Sequence, residues 1–132
     1  MILWVEDDSM RIDETMTLLR DAGYDIRTAK NIKEAEIELK NLKDELELII
    51  LDLILPSGEL KGDLMKRYLG LELLRRLRNE GNKVPVIVFT VVEDAKIEKE
   101  LSKLNVRVIL HKGRLFPEDL EKYVKRVFKS IS

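Results

Sequence analysis

The chain predicts an α/β domain in which a parallel sheet lies buried between layers of helices. Three observations carry that prediction. Apolar runs of strand length, ILWV, LELIIL, VPVIVF and VRVIL, alternate with stretches whose apolar residues recur at helical spacing. Most of these runs are apolar almost throughout, as strands covered on both faces are. Acidic, hydroxyl or ammonium residues follow the run ends: Glu6 and Asp7, Asp52, Thr90 and Lys112. An open parallel sheet binds its ligands at those carboxyl ends.

The elements form five β/α units. Ile2 to Glu6 is the first strand, and a helix from about Ser9 to Ala22 turns Ile12, Met16 and Leu19 to one face before Gly23 stops it. Tyr24, Ile26 and Thr28 alternate as a second strand. Asn31 followed by Glu34 is a capping box for a helix presenting Ala35, Leu39 and Leu42 inward. Leu46 to Leu51 is the central strand. The rhythm breaks after Pro56 and resumes in GLELLRRLR, a third helix from about Gly70 with Leu71, Leu74 and Leu77 inward. Val84 to Phe89 forms the fourth strand, Glu93 to Leu104 the fourth helix, and Val106 to Leu110 the fifth strand. Pro117 opens the last helix, which is expected to bury Leu120, Tyr123, Val124, Val127, Phe128 and Ile131.

Size and charge narrow the function classes. A chain of 132 residues suits a single domain, with no room for a separate output domain. Its 24 basic and 25 acidic residues give a net charge of −1, which supplies no electrostatic case for binding nucleic acid or an anionic membrane. No apolar run approaches the roughly 20 residues of a membrane span, and no basic leader opens the chain, so a cytoplasmic location is expected. The absence of cysteine removes disulfides and thiolate metal sites. Charged residues make up 37% of the chain, a proportion resembling the ion-pair-rich surfaces of heat-adapted proteins and equally met by long exposed helices.

The residues at the strand ends imply a chemistry. Carboxylates gathered closely raise one another's pKa unless a cation neutralises them. Magnesium, hard and oxygen-seeking, is the expected cofactor because it takes few protein ligands and keeps waters or phosphate oxygens. The set therefore reads as a magnesium-dependent phosphoacceptor site.

WVEDD, LIILDLILP, GLELLRRLR, PVIVFT and HK, in this order and spanning nearly the whole chain, resemble the receiver domain of two-component response regulators. That resemblance implies a flavodoxin-like fold with strand order 2-1-3-4-5, and phosphoryl transfer from a histidine kinase or phosphotransfer protein onto one aspartate. Position by position, it implies that Asp52 is the nucleophile. Asp7 would hold magnesium directly, Glu6 through water, and Ile54 by its backbone carbonyl alone. Thr90 would hydrogen-bond a phosphoryl oxygen. Lys112 would pair first with Asp52 and then with another phosphoryl oxygen. A lone receiver acts by docking on a downstream protein, with a homodimer as a further option. Its output face would comprise the fourth helix, fifth strand and last helix.

Several residues have plainer roles available. Asp8 beside the acidic pair is read as a helix cap. Thr90 taken alone could satisfy a loop. Strand alternation turns His111 away from Lys112 and into a structural role, and Trp4 belongs to the core. Four departures from the family pattern stand out: Val91 in place of a small residue after Thr90, Ile109 in place of an aromatic, Gly113 in place of a proline after Lys112, and an insertion at about 57–69. The insertion is expected to contain helical turn, and either extends the third helix or forms a partner-docking lid. G-x-G-x-x-G and G-x-x-x-x-G-K-[ST] are absent, and Ile54 stands where a haloacid-dehalogenase-type phosphatase would carry its second aspartate. A signalling phosphoacceptor is therefore expected, not an enzyme turning over a small substrate. The alternative is a pseudo-receiver that keeps the fold for protein binding and takes no phosphate.

Overall fold

Five parallel strands run in the order β2-β1-β3-β4-β5, interleaved with helices, in a computed structural model that describes residues 1–59 and 67–131, with backbone alone for 9–11. The strands are β1 (Ile2–Val5), β2 (Ile26–Ala29), β3 (Leu48–Leu51), β4 (Val86–Thr90) and β5 (Val108–His111). The helices are α1 (Ser9–Asp21), α2 (Ile32–Leu42), α3 (Leu69–Asn79), α4 (Ala95–Lys103) and α5 (Pro117–Ile131), with a 3-10 turn over Lys43–Glu45. This is the flavodoxin-like arrangement.

Strand alternation divides the interior in two. Leu3, Val5, Ile49, Leu51, Val86 and Val88 project to one face, where α2, α3 and α4 bring Ala35, Leu71, Leu74 and Leu101. Ile2, Trp4, Leu48, Ile50 and Ile87 project to the other, where α1 and α5 bring Ile12, Leu19, Leu120 and Val124. Each such aliphatic side chain contributes about 1.5–3 kcal/mol by leaving water, so both faces are held chiefly by apolar burial.

Local chemistry accounts for most boundaries. Asn31 Oδ1 accepts from Glu34 N at 2.8 Å while Glu34 Oε1 accepts from Lys30 N at 3.0 Å, so the predicted box at α2 closes through the residue before the cap. Gly23, at φ +99°, ends α1 in a conformation that a side chain disfavours. Asp94 Oδ1 accepts from Lys96 N and Ile97 N and starts α4 later than predicted. Asp8 occupies the cap position of α1, but its side chain makes no capping hydrogen bond, a correction to its assigned role. Ile131, predicted inward, is 45% exposed at the end of α5.

Strand starts also shift. Leu46 packs on the core, yet its N–H closes the 3-10 turn on Lys43 O at 3.2 Å, delaying β3 to Leu48. Pro85 lacks an N–H and only accepts, from Ile49 N at 2.9 Å, and β4 begins after it. Tyr24 precedes β2, where its N–H instead bonds Leu19 O at 3.1 Å. Of the insertion at about 57–69, where helical turn was expected, Leu69 already belongs to α3, while residues 60–66 lie outside the described residues.

Candidate functional site

The strand order reverses between β1 and β3, and their carboxyl ends carry Glu6, Asp7 and Asp52. Backbone pairing sets each one. Glu6 N donates to Ala29 O at 2.9 Å and Asp52 N to Val5 O at 3.1 Å, so each acid leaves its strand still anchored to a neighbouring one. Carboxylate oxygens of Glu6, Asp7 and Asp52 lie within 4.8 Å of one another. Glu6 and Asp52 are almost wholly buried.

Both oxygens of Asp52 are engaged. Lys112 Nζ donates to Oδ2 at 2.7 Å, while Thr90 Oγ1 donates to Oδ1 at 3.0 Å. Ile54 N, two residues on, lies 3.3 Å from the same Oδ1. Thr90 belongs to β4, because Lys112 N donates to its carbonyl at 2.9 Å and the ladder continues past the apolar run. Its hydroxyl also accepts from Val92 N at 3.3 Å. One side chain thus both satisfies the loop and touches Asp52.

Lys112 also donates to Glu6 Oε2, a contact that sequence reasoning did not anticipate. One ammonium thus bridges acids that follow β1 and β3 while standing just past β5. Its Nζ lies 5.7 Å from the centroid of the Phe89 ring, a further contact absent from the sequence reading. Phe89 in turn meets Trp4 edge-on at 6.1 Å between centroids. Trp4 is core, as expected, with its indole nitrogen buried and unpaired among the described residues. Alternation signals could have placed Phe89, since it precedes Thr90 in a strand and so points to the opposite face.

Burial pushes the Glu6 carboxyl up from 4.5 to about 7, against the opposing pull of Lys112 and with some help from the charge of Asp52. The ammonium does not fully offset the lost water. Such a donor set, three carboxylates with oxygens within reach of one centre, fits a hard oxygen-seeking cation.

Three of the four departures, Val91, Ile109 and Gly113, have distinct surroundings. Val91 is 57% exposed beside Thr90. Ile109 packs partly buried against the α2/α3/α4 side of the core. Gly113 takes φ +83°, a conformation open to glycine. His111 faces away from Lys112, with Nε2 3.5 Å from Glu98 and Nδ1 3.9 Å from Glu93.

A family model described as the response regulator receiver domain matches residues 2–125. The chain belongs to that family. Among curated relatives, the transcriptional regulatory protein CpxR homolog of Haemophilus influenzae is 33% identical over 89 residues, covering 67% of this chain and 33% of that protein. The receiver domain thus spans about a third of the length of the curated relatives it matches. Solved structures agree on the fold. The receiver domain superposes on a CheY-like response regulator receiver domain protein of Methanospirillum hungatei with a TM-score of 0.75 at 23% identity, covering 97% of this chain and 93% of that one. Chemotaxis protein CheY4 of Vibrio cholerae matches at TM-score 0.72 and 26% identity over 96% of each chain. The receiver domain is a module of two-component signalling.

Proposed function

We propose that this receiver domain accepts a phosphoryl group on Asp52 from a phosphohistidine and thereby switches a protein–protein interaction. The observation that carries the reading is the division of labour around Asp52: Lys112 on one oxygen, Thr90 on the other, and the Glu6 and Asp7 carboxylates within 4.8 Å. In the transfer, a carboxylate oxygen of Asp52 forms a bond to phosphorus. The phosphorus–nitrogen bond to the donor histidine breaks, and its electron pair stays on the imidazole. Asp7 and Asp52 would hold magnesium directly, with Glu6 acting through water and Ile54 through its carbonyl. A bound magnesium ion supplies positive charge to the phosphoryl oxygens. Lys112 follows the developing negative charge from Asp52 to a phosphoryl oxygen, and the Thr90 hydroxyl does the same on the other side.

The donor is a histidine kinase or a histidine phosphotransfer protein, and the receiver of the signal is a downstream protein whose affinity differs between the two states. The relatives named as transcriptional regulators are longer proteins, and this reading assigns the present chain no nucleic-acid contact of its own.

The test is incubation with acetyl phosphate and magnesium, followed by intact mass. Wild type should gain one phosphoryl group, and Asp52→Asn should gain none. A second reading, a pseudo-receiver, draws on Val91, Ile109 and Gly113. It would be adopted if wild type neither gained mass nor bound magnesium.

A further inference from the structure

The chain leaves β3 through Asp52 and Ile54, makes its insertion, and returns to the place it left. Leu55 N donates to Arg67 O at 3.0 Å and Arg67 N donates back to Leu55 O at 3.3 Å. Leu69 N then closes on Arg67 O at 2.6 Å, and Gly70 N donates to Leu53 O at 3.0 Å. The residues on either side of Ile54 are therefore both tied, carbonyl included, to the returning segment. Leu53 and Leu55 are also fully buried, which fixes their side chains in the core.

Gly70 makes the contact possible. A Cβ at that position would lie 2.0 Å from Asp52 O and 2.9 Å from Leu53 Cα. Both are backbone atoms and cannot swing aside. Glycine is needed here for space, since α3 opens directly against the peptide that follows the phosphoacceptor.

We propose that the returning segment, Arg67 to Gly70, is a positioning clip: its backbone holds peptides 53 to 55 so that the Ile54 carbonyl is fixed for magnesium. The inference rests on the metal reading above and adds to it the residues that pre-organise one ligand. Magnesium demands near-ideal octahedral geometry, whereas calcium accepts a flexible one. A loosened carbonyl should therefore cost magnesium more than calcium. Arg67 acts through its main chain, so its side chain is dispensable to the clip. In this view the ends of the insertion serve the site whatever its middle contacts.

The experiment is calorimetric titration of magnesium and of calcium into wild type, Gly70→Ala, Arg67→Pro and Arg67→Ala, with thermal unfolding of each. Gly70→Ala introduces the clashing methyl, Arg67→Pro removes the N–H that bonds Leu55, and Arg67→Ala keeps the backbone pair. The expected result is a loss of magnesium affinity of about 10- to 100-fold in the first two, as for residues supporting a metal ligand, with a smaller loss for calcium. Arg67→Ala should match wild type. Should Gly70→Ala fail to fold, Arg67→Pro carries the test. Equal loss for both cations, or magnesium binding unchanged in a folded clip variant, overturns the clip alone. A wild type that binds no magnesium overturns it together with the metal reading.

Discussion

Thr90 Oγ1 donates to Asp52 and accepts from Val92 N, so this hydroxyl already has two protein partners. Moving toward a phosphoryl oxygen would exchange the first bond and pull on the loop through the second. Val91 lies between those two residues, more than half exposed at the rim of the site. A branched side chain there should slow the approach of water to an acyl phosphate. Val91→Ala is therefore expected to shorten the lifetime of the phosphorylated protein several-fold, by about 1 kcal/mol in barrier as for other single-group steric effects. Decay followed by intact mass after removal of the phosphodonor measures it, and a variant lifetime equal to or longer than wild type would contradict the role. At this scale Asp52, Glu6, Asp7, Thr90 and Lys112 were legible because each stands at a strand end. The pairing of Lys112 with Glu6, 106 residues away in sequence, was not legible, since it depends on how three loops close together.

Among the elements, the strands show what periodicity reports. It marks burial, not membership of a ladder. Leu46 and Val84 are partly buried against the core but lie before their strands, whereas polar Thr90 lies within β4. The α3 helix carries another feature that periodicity could not reveal. Arg78 turns back over its own end: Nε donates to Leu104 O at 2.7 Å, and Nη1 donates to Val84 O at 2.8 Å and Asn82 O at 3.0 Å. Burial lowers its pKa, and carbonyl dipoles supply the compensation. One side chain so joins α3, the approach to β4 and the turn after α4. Arg78→Ala should cost about 1–3 kcal/mol, the loss of charged hydrogen bonds to partly buried carbonyls. Urea denaturation should show a lower midpoint with an unchanged slope. Magnesium affinity should stay at the wild-type value, since Arg78 works at the amino ends of the strands. A fall in both would mean that the two ends are coupled.

For the whole molecule, stability should depend on pH through Glu6. In the unfolded chain this carboxyl ionises near 4.5, and in the folded protein at about 7. Between those values the folded state binds more protons, so raising the pH through the window favours unfolding. Without magnesium, the melting temperature of wild type should fall relative to Glu6→Gln across that window. Saturating magnesium should abolish the difference in slope, because the cation then takes the place of the proton. Parallel melting curves for the two proteins in a chelator would refute the account. The three-layer architecture itself was readable from alternating apolar runs. The strand order was not, because those runs say that a strand is covered on both faces without saying by which neighbours. It was supplied by the family resemblance and is what the structure displays.

The sheet is a wall between two separate oily compartments, and β4 touches both on successive residues. Val88 faces the α2, α3 and α4 compartment, Phe89 faces the α1 and α5 compartment, and Thr90 reaches the shared rim. Under the proposed switch, a shift of that hydroxyl would reach side chains of both compartments within the length of three peptides. A partner of the proposed switch would then not need to sit beside the aspartate to tell a phosphorylated molecule from an unmodified one.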